Sequence, residues 1–274
     1  VSGPPVFGRI LVPLDGSRLA LRILEPLERL VLEGPTELTL LRVVDPRSPV
    51  EHDRLPAAEL AMQLQLRIVR ERLGLDVRMR LELVRGDPAE EIVRYAQGTG
   101  QELVAMATHG RSGVGRLLRG SVAEEVLRTC DVPLLLCNPR ALDDGRLDAR
   151  FRRVLVALDG SARSERVLPV VERVATAHQS LVTTLRVEVS PVSPPRQLAP
   201  SSGPVERLAA AGLEADALLA CGDVVAELLE ASQEADLLAM ATHGRSGASR
   251  WWFGSVTEEV LRQARCPLLV VRAA

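Results

Sequence analysis

Short apolar runs punctuate the chain, each bounded by charge, glycine or proline. Ile10-Leu11-Val12, Leu38 to Val44 and Leu103 to Ala107 are of this kind. Runs of this length with little alternation suit strands buried on both faces. Between them the apolar residues fall three or four apart, as on one face of a helix: Leu21, Leu24, Leu27 and Leu30-Val31 are one such set, with Pro26 as a point of bending. The pattern predicts strands over 9–15, 36–44, 76–84, 102–107 and 132–136. Helices are expected after Gly16-Ser17, over 57–73, over 88–98 behind an Asp87 cap with Pro88 at the first helical position, and from Ser121 onward. Strand and helix alternate throughout, which argues for a parallel sheet with helices on both faces.

The second half repeats this order. Arg9 to Ser17 returns as Arg153 to Ser161, shifted by 144 residues, while Gly86-Asp87 returns as Gly222-Asp223, shifted by 136. The 8 residues lost between these points lie after the second strand. There the first half offers the 57–73 helix. The second offers proline- and serine-rich sequence from Ser190 to Pro204, read as loop, and a short helix from Val205 to Ala211. Helix 224–234 and strands 153–159, 181–189, 214–220, 236–241 and 266–271 complete that half. Two domains are therefore expected, 1–139 and 151–274, joined by a linker over 140–150 that contains Asp143-Asp144-Gly145. Each should be an open five-stranded Rossmann-like, flavodoxin-like α/β sandwich with strand order 3-2-1-4-5.

The longest identity between the halves is not in a core element. Met106-Ala107-Thr108-His109-Gly110-Arg111-Ser112-Gly113 recurs, residue for residue, as Met240-Ala241-Thr242-His243-Gly244-Arg245-Ser246-Gly247. Both copies run on to a Gly-Ser-Val at the same distance, Gly120-Ser121-Val122 and Gly254-Ser255-Val256. Ser121 with Glu124, and Ser255 with Glu258, have the spacing of a capping box. The order is strand, glycine-containing loop, capped helix. Free N–H groups and the positive dipole end at such a helix start suit an anion, phosphate above all. The plainer reading, that the serines cap and the glycines turn the chain, accounts for one copy but not for a loop better kept than its surroundings. With strand 1 beside strand 4, Asp15 would face Ala107–Gly110 and Asp159 would face Ala241–Gly244, at the crevice where strand order reverses.

Composition narrows the chemistry. The 274 residues are 46% hydrophobic and 26% charged, a globular balance, with a net charge of -2. That charge does not fit a protein built to hold nucleic acid or an acidic membrane. All 34 basic residues are arginine. Without lysine there is no Walker A loop and no Schiff-base enzyme. Aromatic residues are 2%, too few for a base-stacking platform, and Trp251-Trp252-Phe253 reads as packing. The cysteines, Cys130, Cys137, Cys221 and Cys266, form no C-x-x-C pair and read as reduced fillers. No metal set is expected, and no stretch suits a membrane span. The opening Val1-Ser2-Gly3-Pro4-Pro5 shows no charged-then-apolar leader, so a cytoplasmic setting is the expectation.

Taken together, Val12-Pro13-Leu14-Asp15-Gly16-Ser17, the Met106–Gly113 octapeptide, Gly120-Ser121-Val122 and their second-half equivalents resemble the universal stress protein family in its tandem form. The resemblance covers nearly the whole chain. It implies an adenine-nucleotide site, for ATP with or without Mg2+, written as glycine, two residues, glycine, nine residues, then glycine and serine or threonine. The second glycine falls on Gly110 and Gly244, the spacer on Arg111–Arg119 and Arg245–Phe253, and the final pair on Gly120-Ser121 and Gly254-Ser255. The first glycine is replaced by Ala107 and Ala241. By the same resemblance Pro13, Leu14 and Asp15 lie near base and ribose, as do Leu158 and Asp159, with Val43 or Val187 of strand 2 against the adenine. Met106, His109, Arg111, Gly113 and Val122 join the first site; Met240, His243, Arg245, Gly247 and Val256 join the second. Ala157 stands where the first half has Pro13. Pairing of the two fifth strands would make the chain a pseudo-dimer, and two chains would form a homodimer with protein partners unspecified. No catalytic residue is expected, and at most slow ATP hydrolysis. Two other functions remain open: an interaction protein that binds no nucleotide, motivated by the missing first glycine, and an adenylating enzyme, supported by fold analogy alone.

Overall fold

The computed structural model describes residues 5–31, 36–47, 55–73, 77–108, 122–138, 150–190, 195–200, 203–243 and 255–273. The chain divides into two compact units, Val1–Pro139 and Arg140–Ala274. The 140–150 linker and both glycine loops lie almost wholly outside the described residues.

In the first unit, β1 (Arg9–Pro13), β2 (Glu37–Val44), β3 (Arg78–Arg85), β4 (Leu103–Ala107) and β5 (Leu134–Cys137) form a parallel sheet in the order β3-β2-β1-β4-β5. The central strands have no solvent face: Ile10, Leu11, Val12, Leu103, Val104 and Ala105 are all fully buried. Their continuous apolar runs are thus the direct cause of their central position. The helices are α1 (Leu24–Val31), α2 (Leu55–Leu73), α3 (Pro88–Gly98) and α4 (Val122–Thr129). Each of α1, α3 and α4 buries one stripe: Leu24, Leu27, Leu30 and Val31; Ala89, Ile92 and Ala96; Ala123, Val126 and Leu127. A 3-10 turn at Ala20–Ile23 precedes α1, so Pro26 sits in the first turn of the α-helix rather than bending its middle.

The second unit repeats the sheet with β6 (Arg153–Ala157), β7 (Leu181–Val189), β9 (Glu214–Gly222), β10 (Leu237–His243) and β11 (Leu268–Ala273), in the order β9-β7-β6-β10-β11. Its helices are α5 (Leu168–His178), α6 (Gly203–Ala210), α7 (Val224–Ala231) and α8 (Ser255–Gln263). One element departs from the expected five strands. Gln197–Leu198, inside the segment read as loop, forms a short antiparallel strand, β8, against Leu218-Leu219 of β9. Pattern reading misses it because a two-residue strand carries no periodicity. The helix expected over 224–234 also divides, with α7 ending at Ala231 and a 3-10 turn following at Ser232–Glu234.

Asp87 and Asp223 cap α3 and α7 as the sequence leads one to expect. Asp87 Oδ1 accepts from the N–H of Ala89 at 3.0 Å and Glu90 at 3.3 Å; Asp223 Oδ1 accepts from the N–H of Ala226 at 2.9 Å. Burial opposes ionisation of Asp87, but the Arg47 guanidinium at 2.5 Å and the two helix N–H groups outweigh it and hold the carboxyl below its usual range. Its contribution is therefore complete above the unfolded-state value near 3.9 and is lost as pH falls through the lower folded-state value. Asp87→Ala should cost about 1 kcal/mol in urea unfolding at neutral pH, with the gap from the parent narrowing as the titration is carried below pH ~4.

Candidate functional site

Ladder register decides which residues meet. In the first unit Pro13 is opposite Leu41, and Ile10 is opposite Leu103. Carried along the parallel strands, these registers bring Asp15 level with Val43 on one side and Thr108 on the other, with Pro13 level with Met106. In the second unit Ala157 is opposite both Leu185 and Met240, so Asp159 comes level with Val187 and Thr242. All of these residues lie at or just beyond the carboxyl ends of the strands. Sheet order reverses between β1 and β4, and again between β6 and β10, so each unit has one crevice there.

The turn after the first strand is built alike in both units. Leu14 N–H bonds to Leu41 O at 2.9 Å and Leu158 N–H to Leu185 O at 3.0 Å, extending the ladder one residue beyond each strand. Asp15 Oδ1 then accepts from Ser17 N–H and Asp159 Oδ1 from Ser161 N–H, both at 2.8 Å. Ser17 Oγ accepts from Ala20 N–H at 3.1 Å and Ser161 Oγ from Ser164 N–H at 3.2 Å. Each carboxylate is thereby fixed in orientation at the crevice edge by its own turn. The serines, expected as helix caps, instead brace the turn ahead of each 3-10 helix, whose cap positions are Leu19 and Arg163.

Gly16 and Gly160 both have φ +81°, a conformation costly for any residue with a Cβ. A methyl at either would also lie 3.2 Å from an arginine Nη1, of Arg42 or Arg186. These two arginines, 144 apart like their strands, bring a guanidinium from strand 2 against each Asp-Gly-Ser turn. Sequence reasoning passed over them, although an arginine at the same place in both second strands, each time between leucine and valine, was a visible signal. Their surroundings differ. Arg42 is 6% exposed, donates from Nη1 to Leu14 O at 3.4 Å, and lies beside Met62 and Gln65 of α2. Arg186 is exposed, in the half that lost the residues after strand 2.

The remaining expected residues are placed as follows. Met106 and Met240 are buried in β4 and β10. Ala107 pairs with Cys137, and Ala241 with Val271, inside the parallel ladder. Neither alanine has a positive φ, so the absent glycine is not required for backbone conformation; only the methyl group distinguishes the two residues here. Thr108 and Thr242 are buried, and Thr108 N–H bonds to Cys137 O at 2.9 Å. Val43 and Val187 are half-buried in β2 and β7. His243 ends β10 opposite Ala273. Val122 opens α4 and is exposed, Val256 is half-buried in α8, and α8 begins at Ser255. His109, Gly110, Arg111, Gly113, Gly120 and Ser121 lie outside the described residues, as do Gly244, Arg245, Gly247 and Gly254. Among the described residues no cluster of histidine, cysteine and carboxylates could hold a metal, and no helix is long and apolar enough to cross a membrane. Cys130, Cys137 and Cys266 are buried, and burial drives the Cys137 thiol far above its ordinary value.

Comparison with known proteins identifies the family and the fold. The model of the universal stress protein family matches twice, over residues 7–138 and 150–272. The chain belongs to the universal stress protein family. Among curated relatives, universal stress protein Rv2005c of Mycobacterium tuberculosis is 28% identical over 224 residues, covering 76% of this chain and 74% of the relative. Universal stress protein MJ0531 of Methanocaldococcus jannaschii is 29% identical over 145 residues, covering 49% of this chain and 84% of its own. Among solved structures, a universal stress protein from Archaeoglobus fulgidus superposes with a TM-score of 0.78 at 22% identity, over 98% of this chain and 97% of that one. That likeness is of fold.

Gly16→Ala should destabilise the protein by about 1–2 kcal/mol, the cost of a Cβ at positive φ. Gly160→Ala should cost less, because the exposed Arg186 can swing away while the buried Arg42 cannot. Paired urea melts check the order, and equal losses would mean that arginine crowding plays no part.

Proposed function

We propose that each unit holds one adenine nucleotide, ATP foremost, with or without Mg2+, and that the protein works as a nucleotide-dependent regulatory factor of the stress response. The observation carrying this is the convergence, in both units, of the same four positions at the strand-order reversal: an oriented aspartate, a strand-2 valine, and the methionine and alanine that lead into the glycine loop. In this reading Asp15 and Asp159 accept hydrogen bonds from ribose or base. Val43 and Val187 give the adenine an apolar wall. The loops Gly110–Ser121 and Gly244–Ser255 wrap the phosphates with backbone N–H groups, aided by Arg111 and Arg245. His109 and His243 belong to the binding loops and not to a proton relay. No residue is assigned as a general base, so any hydrolysis is slow. The reading carries with it a cytoplasmic setting, association of two tandem chains, and protein partners that respond to the occupied state.

Native mass spectrometry of the purified chain, before and after ATP with magnesium, tests this directly. Two nucleotides per chain are expected. Gly254→Val should leave one, and Gly120→Val with Gly254→Val should leave none while the circular dichroism stays that of the parent. Unchanged stoichiometry in the folded double variant would remove the loops from the site. An empty parent at millimolar ATP would instead favour a nucleotide-independent interaction protein.

A further inference from the structure

A cavity of about 560 Å³ lies in the second unit, well away from the crevice just described. It sits between the sheet and the C-terminal end of α7. Its floor is apolar, with Val154, Leu155, Leu181 and Leu218 from the strands, and Ala231 and Ala235 beyond. One polar group, Thr183, rises from that floor.

The first unit shows what such a space is shaped to receive. Asp87 and Asp223 begin equivalent helices, so the eighth residue beyond each is an equivalent position: Tyr95 in α3 and Ala231 in α7. Tyr95, the chain's single tyrosine, is half-buried, and its hydroxyl is hydrogen-bonded to Thr39 and Glu82. Burial, and then the charge of Glu82, push its pKa up, so the phenol stays protonated. Thr39 has its counterpart in Thr183, which lines the cavity, while Glu82 is replaced by Leu218. Asp216, the ladder partner of Thr183, stands where the first unit has Arg80, and its Oδ1 is shielded from solvent and does not line the cavity. The second unit thus has no phenol ring here and presents the Thr183 hydroxyl where the first unit's Thr39 meets the phenolic O–H.

The rim is held in place. Arg196, just before β8, donates from Nε to Glu227 Oε2 and from Nη2 to Glu230 Oε2, both at 3.0 Å, which ties the strand-2-to-helix segment across α7. Arg153 and Glu234 face each other at 3.6 Å on the outer side. The rim charges are mutually paired, so the opening favours a neutral guest over an ion. A volume of this size, with an apolar floor and polar groups gathered at the rim, is large enough for a small molecule. We infer that this cavity binds a neutral single-ring phenol, its ring on Leu155, Leu181 and Leu218 in the place taken by the tyrosyl ring in the first unit, and its hydroxyl at Thr183.

The test is titration of the full chain, methyl-labelled at alanine, leucine, valine and threonine, with 4-ethylphenol. Saturable shifts at Thr183, Leu218 and Ala231 are expected, with Kd at or below about 1 mM. Ala231→Tyr refills the space and should abolish the shifts while raising the melting temperature. Thr183→Val keeps the shape, and should weaken binding roughly tenfold, the loss of one hydrogen bond. Ethylbenzene should bind at least tenfold more weakly than 4-ethylphenol. Absence of shifts in the parent, undiminished binding in Ala231→Tyr, or equal binding of ethylbenzene would each overturn the assignment. Nucleotide occupancy is read separately by mass, so neither result depends on the other.

Discussion

Everything at the carboxyl end of each sheet depends on parallel pairing in fixed register. A parallel ladder sends all its strands out at the same end, and the reversal between first and fourth strands leaves a gap there that neither neighbour's helix closes. Ile10 opposite Leu103 is what sets Asp15 beside Thr108; a slip of one residue would turn Asp15 to the other face and pair it with the wrong end of the loop. The slip is prevented by burial. Residues on both faces of β1 and β4 are wholly enclosed, so every misregister exposes apolar area or buries the flanking charge. The core specifies the site without touching a ligand.

Duplication then allowed the two units to diverge around a constant edge. The Asp-Gly-Ser turn is kept to within 0.1 Å in its hydrogen bonds, and the arginine from strand 2 approaches both glycines equally closely. The covering layer is not kept. The first unit lays the long α2 beside Arg42; the second has a shorter segment, pinned by Arg196 to Glu227 and Glu230, and leaves Arg186 in solvent. Away from the site, the second unit has Ala231 where the first has Tyr95, and a cavity lies beside it. Both changes fall away from the strand-order reversal, so they alter what surrounds the crevice and not its frame.

Much of this was legible from residue order. Strands buried on both faces write themselves as unbroken apolar runs, and Asp87 and Asp223 announce their helices because a capping carboxylate has few other roles at that place. What could not be read were features with no period. β8 is too short to alternate, and it forms because β9 has a free edge, a tertiary fact. The importance of Arg42 and Arg186 lay in a neighbour's missing Cβ across a strand pair. Ala107 and Ala241 illustrate the reverse case. They depart from the family's glycine, yet they are ladder residues with ordinary φ, so the departure adds a methyl group and leaves the backbone unchanged.

The two third strands protect their outer edges by different means. β3 carries Arg78, Arg80, Glu82 and Arg85 along its length, and such a charged strand discourages another from adding. β9 reads Glu-Ala-Asp-Ala-Leu-Leu-Ala-Cys-Gly, with no positive charge and a run of small and apolar residues in its second part. That stretch is the kind that seeds cross-strand aggregation when left open. β8 lies over Leu218 and Leu219, at the middle of the vulnerable run. The shortened segment thus still supplies both a helix, α6, and a two-residue strand that occupies this part of the edge.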